Sequence, residues 1–346
     1  MQTILYVILA IFLFGFLVFI HELGHFTAAR ACKVKVNEFS IGMGPRLLCK
    51  KSKKTEIEYS IRALPFGGFV SMDGESEVSD DTNAFCNKPV WQRIIILAAG
   101  PTMNLLLGFL LMIVLVAFSP TPASNTIAKF QDVAISHVCG LEVGDTIIEV
   151  DGTKVHTGDE VVYEIMMQGY EPIDIVVIRD GKQKYIPDVS FRTDVQSGIK
   201  IGLYDFWLEA APKTFGSVIK HSFFRSCSTV KMVWDSLAGL IGGRFGMEAV
   251  SGPVGVIQQT TQVAQEGDSF DVLYLFIVIS INLGVMNLLP IPALDGGHLV
   301  FNFLELIAGR PVVKRETENA IHAIALLILL GFIVIISVKD VFRLFA

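Results

Sequence analysis

The sequence is short of charge. Only 18% of its 346 residues are Asp, Glu, Lys or Arg, against roughly a quarter in soluble globular proteins. A net charge of −6 supplies no basic field for nucleic acid, so no nucleic-acid partner is expected. Cysteine is sparse and unpaired in pattern: Cys32, Cys49, Cys86, Cys139 and Cys227 show neither CxxC nor CxxH spacing. That argues against a disulfide framework and against a cysteine zinc site. The first apolar run lacks a preceding basic region and a following small-residue cleavage site, so it is expected to be retained as a membrane span. No internal repeat or low-complexity tract is evident.

What the chain has instead is long apolar runs. A spanning helix needs about 20 mostly apolar residues. Four segments qualify: about Ile4–Ala28, Arg93–Phe118, Val272–Leu289 and Ile321–Val338. Residues 29–93 hold eleven Lys and Arg, and the loop between the last two spans holds Arg310, Lys314 and Arg315. Short basic loops stay cytoplasmic. Both termini and residues 119–270 are then expected outside, although Lys339 and Arg343 point weakly the other way.

The expected organisation has four parts. Residues 1–122 carry spans one and two with a cytoplasmic β-loop. Within it Thr55–Arg62 alternates as a strand, and Phe66-Gly-Gly-Phe-Val suggests a turn and a second strand. Residues 123–206 read as a small α/β domain, with a helix near Val161–Met167 and strands at Ile173–Ile178 and Tyr185–Val189. In residues 207–270, Phe215, Val218, Ile219, Phe223 and Phe224 alternate with Lys213, Lys220 and Arg225, which suits an amphipathic segment on the membrane surface. Residues 271–346 carry spans three and four.

The chemistry is concentrated in two places. His21-Glu22-Leu23-Gly24-His25 is an HExxH motif inside the first span. On a helix the two histidines share a face and can hold one zinc ion, while Glu22 reaches its water. Three ionisable groups on one turn of a spanning helix are costly without a joint purpose. The alternative is a set of polar residues reaching the interface, but that role favours Lys and Arg. A catalytic zinc needs a third protein ligand and an open position. Asp295, in Leu294-Asp-Gly-Gly-His298, is the leading distant candidate, with His298 second; the weaker alternative for Asp295 is a helix N-cap. Asn287, Pro290 and Pro292 precede it as N-x-x-P-x-P. Two prolines free carbonyls at membrane depth, which is tolerated where backbone lines a cavity or is covered by protein. Asn287 is a candidate to bind substrate backbone there, or a kink-capping amide.

These motifs together resemble site-2-protease-type intramembrane zinc metalloproteases, of the bacterial RseP-like group, over nearly the whole chain. His21-Glu-Leu-Gly-His-Phe26 resembles the zinc motif of the first span, and Asn287 to His298 the motif that supplies the third ligand. Ala98-Ala-Gly-Pro-Thr-Met-Asn104, Leu64-Pro-Phe-Gly-Gly-Phe-Val70 and Ser251-Gly-Pro-Val-Gly255 resemble further family motifs. The resemblance implies a polytopic α-helical fold of four transmembrane helices, with a small membrane-associated β-loop and an inserted PDZ-like α/β domain. It implies one Zn2+, held by His21, His25 and Asp295 with Glu22 as the base. Gly67, Gly68 and Phe69 would present an edge to unwound substrate, with Asn287, Pro290 and Pro292 as further substrate-binding positions. The implied setting is a bacterial inner membrane, with the active site near the cytoplasmic side. The implied partners are the lipid bilayer and single-span membrane substrates such as anti-sigma factors or remnant signal peptides. Two departures stand out: there is room for one PDZ domain rather than two, and no clear Gly-Leu-Gly-Phe loop, which suits a size filter.

Two other classes compete. A metal or ion transporter would carry polar groups through the depth of several spans, yet spans two and four are nearly free of charge. An inactive scaffold would be expected to lose Glu22 or a ligand, and all are present.

Overall fold

A computed structural model describes residues 2–75, 77, 79–196, 199–246 and 250–345. In chain order it forms α1 (Gln2–Ala31), β1 (Val36–Lys51), β2 (Glu58–Met72), α2 (Val90–Phe118), β3 (Ala123–Phe130), α3 (Ile135–Val138), β4 (Thr146–Val150), β5 (Thr153–Lys154) and α4 (Gly158–Gln168). There follow β6 (Ile173–Arg179), β7 (Lys182–Val189), β8 (Arg192–Gln196), β9 (Ile199–Leu203), β10 (Phe206–Ala210), α5 (Phe215–Ile241), α6 (Pro253–Glu266), α7 (Ser269–Leu288), α8 (Asp295–Ala308) and α9 (Arg315–Phe345). The chain divides into two compact units, residues 1–108 with 251–346, and residues 109–250.

Four helices are long and apolar enough to cross a membrane: Leu5–Ala31, Val90–Phe118, Ser269–Leu288 and Arg315–Arg343. Their positions follow the apolar runs. The largest difference is at α9, which begins at Arg315 rather than near Ile321. Glu316 and Glu318 in its first turn suit a helix N-terminus, so the helix extends into polar sequence. Exposure is inverted relative to a soluble bundle: Phe12, Leu327, Ile328 and Ile335 are mostly exposed, while His21, His25, Asn104 and Ser280 are buried.

Small residues set the helix spacing in the first unit. A Cβ on Gly24 of α1 would stand 2.4 Å from the Ala99 carbonyl of α2, and one on Gly108 of α2 would meet Ile281 of α7 at 2.6 Å. Such contacts let helices approach closely where water supplies no driving force. In the middle of α7, Ser280 Oγ donates to the Asn104 carbonyl of α2 at 2.8 Å.

Sequence alternation located only part of the sheet after α1. Val36–Ile41 of β1 pairs on one side with Gly68–Met72 and on the other with Glu58–Ile61, whose far side takes Leu48–Lys51. β1 was not anticipated, and β2 runs without a break through the expected turn, with Gly67 at φ +80° absorbing the bend. Phe39 packs among Phe19, Phe26 and Tyr59, fixing the sheet to α1. The buried carboxylate of Glu38 takes Arg46 at 2.6 Å, Arg62 at 2.8 Å and the Ser60 hydroxyl at 2.6 Å.

The second unit holds an antiparallel sheet of order β10-β3-β4-β6-β7, with β5 paired to β4 and a separate β8–β9 hairpin. Its core is Ile127, Ile147, Val150, Ile165, Ile175, Val177 and Phe206, every one nearly fully buried. Because β10 pairs with β3, the sheet reaches Ala210 rather than stopping at 206. Lys231 of α5 ties that helix to α4 through Glu164 at 2.8 Å, and Tyr163 donates to Asp235 at 2.7 Å.

Burial pushes the Glu38 carboxyl up, but hydrogen bonds from Ser60 and Arg62, with the charges of Arg62 and Arg46, outweigh it and hold it below its ordinary 4.5. A lowered value means that ionised Glu38 stabilises the sheet at neutral pH, and that this contribution is lost as pH falls through the lowered value. Hydrogen exchange, corrected for intrinsic rates and read from neutral pH into acid, should show β1 and β2 amides keeping protection down to the ordinary carboxyl value of 4.5 and losing it below. In Glu38→Gln that protection should be low at both ends of the range.

Candidate metal centre

The last third of α1 sets His21 and His25 one turn apart on the same face, with Glu22 directly after His21. His21 Nε2 and His25 Nε2 stand 3.2 Å apart, with their rings edge to face. The third group arrives from a broken helix. α7 ends at Leu288, Pro290 and Pro292 prevent its continuation, and α8 starts afresh at Asp295. Gly296 and Gly297 permit that restart, since a Cβ on either would strike the carbonyls of Leu289 or Ile291, at 1.9 and 2.6 Å.

Asp295 Oδ2 lies 3.0 Å from His21 Nε2 and 3.4 Å from His25 Nε2. Leu294, not Asp295, occupies the helix N-cap, and no side-chain cap is made there. The carboxylate is turned to the histidines instead. Despite the short distances, Oδ2 is buried with no well-directed donor. Such a group asks for a cation. Zinc ligands at about 2.0–2.1 Å in a tetrahedron stand about 3.3 Å apart. The triangle of 3.0, 3.2 and 3.4 Å has those edges, so two imidazoles and a carboxylate suit zinc in both donor type and spacing.

Each histidine has a partner for its other nitrogen. His25 Nδ1 donates to the Ile96 carbonyl of α2 at 2.8 Å, which leaves Nε2 free as a ligand atom. Gly100 makes room for that ring, for a Cβ there would stand 2.3 Å from His25 Nε2. His21 Nδ1 faces Asn104, whose Nδ2 is 3.4 Å away while Oδ1 has no partner; the side chain is fully buried. Amide orientation is a choice of assignment. Turning it over sets the orphan oxygen against His21 Nδ1–H, the proton a metal-bound Nε2 requires. Sequence reasoning had noted Asn104 only within a motif. Its signal, an amide in mid-span four residues after Gly100, gains meaning only from the contact.

Glu22 lies beside β2: a Cβ on Gly68 would be 3.4 Å from Glu22 Cγ. Gly68 and Phe69 pair with Ile41 and Ser40 of β1, and Arg62 stacks on Phe69 at 4.8 Å. The other edge of Gly68–Met72 has no strand partner among the described residues. Asn287, in the last turn of α7, is half-buried and makes no side-chain hydrogen bond among the described residues. Pro290 is exposed and Pro292 half-buried in the turn that follows. His298, the second candidate ligand, stands apart from the triad, with Nδ1 at 3.6 Å from Glu318 and its ring stacked on His322.

A histidine pair, a neighbouring glutamate and a distant aspartate, set among helices of spanning length, define a membrane metallopeptidase. A sequence profile of Peptidase family M50 matches residues 9–332, and the chain belongs to that family. It is 36% identical to a Clostridium acetobutylicum protein assigned by inference as a zinc metalloprotease, over 97% of each chain. It is 35% identical to a similarly assigned Fusobacterium nucleatum protein, over 98% of this chain and 99% of the other. It is also 28% identical to the regulator of sigma-W protease RasP of Bacillus subtilis, over 98% and 99%. The chain is a zinc metalloprotease of the membrane.

If Asn104 orients His21, Asn104→Leu should weaken zinc binding about 10- to 100-fold, the cost usual for a lost partner of a ligand histidine. Asn104→Asp keeps an acceptor and should retain most of the affinity. Competition with a chromophoric chelator measures both; equal affinity for Leu and Asp would remove Asn104 from this role.

Proposed function

We propose that His21, His25 and Asp295 hold the catalytic zinc of this intramembrane protease and that Glu22 is its base. The observation that carries the reading is the convergence of three ligand atoms within 3.4 Å, one of them a buried carboxylate oxygen without a directed donor. Held by His21, His25 and Asp295, a bound zinc would supply Lewis-acid chemistry, polarising the scissile carbonyl and making a ligated water acidic enough to ionise near neutral pH. Glu22 accepts the water proton on its carboxylate and delivers it to the leaving amine. Ile96 and Asn104 keep the imidazoles oriented through both steps.

The substrate is a transmembrane helix, whose carbonyls are all paired internally and must be freed before hydrolysis. The edge at Gly68–Met72, next to Glu22, has no strand partner among the described residues, though Met72 N–H donates to Glu75, and it supports strand addition of the unwound stretch. Gly67 bends the strand at that point, and the unbonded amide of Asn287 is free to take another substrate group, with Pro290 and Pro292 shaping the turn beside it. We read the domain spanning 123–206 and β10 as PDZ-like, acting as a size filter on the outer side. Its antiparallel sheet, with α4 packed on β3 and β9, supports the reading. The substrates are then single-span proteins already trimmed outside, anti-sigma factors among them, in keeping with a Bacillus subtilis relative named as a regulator of sigma-W, or remnant signal peptides. The basic loops support a zinc near the cytoplasmic side of a bacterial membrane, with the termini and inserted domain outside.

Glu22→Gln should abolish cleavage of synthetic spanning peptides while zinc content stays at one per chain. Asp295→Ala should lose both zinc and activity. Residual cleavage by Glu22→Gln well above a metal-stripped control would take the base role away from Glu22. Normal zinc content in Asp295→Ala would take away the ligand role.

Strand addition uses backbone groups, so Phe69→Ala should still cut, and Phe69→Pro, which removes a donor, should not. Substrates with Gly near the cleavage point should be cut faster than Leu- or Ala-rich ones, since Gly lowers the cost of unwinding by about 1 kcal/mol. Equal rates for the two Phe69 variants would contradict strand addition.

A further inference from the structure

The turn that delivers Asp295 is backbone under strain. Ala293 has φ +78°, a region that residues with a Cβ rarely adopt. Such a conformation persists only where the surroundings over-determine it. From residue 290 to 294 the prolines supply no N–H, and two of the three remaining donors find local carbonyls: Ile291 bonds Leu289, at 2.7 Å, and Leu294 bonds Ile291, at 3.2 Å. The third, the N–H of Ala293, donates to His322 Nδ1 of α9 at 2.9 Å.

His322 is built for that contact. It is 8% exposed, its ring stacks on His298 at 3.6 Å and 4°, and Phe301 closes its edge at 5.7 Å. His298, Glu318 and His322 are close enough together to suggest a second metal site. The chemistry argues otherwise. Nδ1 of His322 accepts a backbone N–H, so its proton sits on Nε2, which therefore has no lone pair for a metal. The stacked rings also carry their nitrogens in parallel planes rather than toward one point.

We propose that His322 is a positioning residue for Asp295: by accepting the Ala293 N–H it holds the turn at positive φ and so fixes the third zinc ligand two residues on. This rests on Asp295 being a ligand. Without the acceptor, Ala293 relaxes toward negative φ and the carboxylate leaves the triangle. A glycine at 293 adopts positive φ without strain and no longer needs the post.

The test is zinc affinity of the full chain in detergent, by competition with a chromophoric chelator. His322→Phe keeps the stacking ring but removes the acceptor, and should bind zinc about tenfold more weakly or worse. His322→Asn places an oxygen near the Nδ1 position and should stay near wild type. Adding Ala293→Gly to His322→Phe should restore affinity, a rescue that loss of general packing would not show. The proposal is overturned if His322→Phe binds zinc as wild type does, or if Ala293→Gly does not rescue it. Should His322→Phe fail to fold, the double variant and His322→Asn decide in the same way. Asp295→Ala runs alongside: if it keeps its zinc, the ligand reading itself fails and this proposal with it. If it empties while His322→Phe does not, only the proposal fails.

Discussion

The placement of one carboxylate oxygen against two imidazole nitrogens, inside helices that expose apolar side chains, constrains everything around it. Asp295 Oδ2 is buried 3.0 Å from His21 Nε2. Bringing it there requires three concessions from the bundle. The first span carries ionisable residues where they are costly. α2 gives up side-chain volume at Gly100 so that the His25 ring fits. The third span stops at Leu288, because a continuous helix could not present an aspartate from a fresh N-terminus. The Arg93–Glu305 ion pair, at 2.6 Å, then ties the base of α2 to α8, the helix Asp295 opens.

The same geometry puts Glu22 beside the strand. Glu22 follows His21 on α1, so fixing the histidines also fixes Glu22 against Gly68 of β2. The sheet is held to α1 by Phe39 between Phe19 and Phe26, and internally by Glu38 with its two arginines. His21, Glu22, His25 and the strand at Gly68 are thus gathered around one stretch of α1.

Much of this was legible in the sequence, and for physical reasons. His21, Glu22 and His25 are local, so helical spacing alone puts them together. Asp295 was marked by prolines before it and glycines after it, both of which act on the backbone of the same segment. The spans followed from apolar length. What was hidden depends on contacts distant in the chain. Asn104 meets His21 across 83 residues, and His322 meets Ala293 across 29. Neither has a local pattern. β1 was missed because Val36–Ile41 pairs with β2 on both flanks and Glu38, Phe39 and Ser40 are buried in succession, so no alternation marks it. Ala293 at positive φ was also invisible, since alanine gives no hint of that conformation.

The central claim is a single zinc centre of two imidazoles and one carboxylate. Zinc K-edge X-ray absorption on the purified, fully loaded protein tests it most directly. Two histidine imidazoles and only oxygen in the remaining positions, at about 2.0–2.2 Å, are expected. A third imidazole, which would bring in His298, or a sulfur at about 2.3 Å would contradict it.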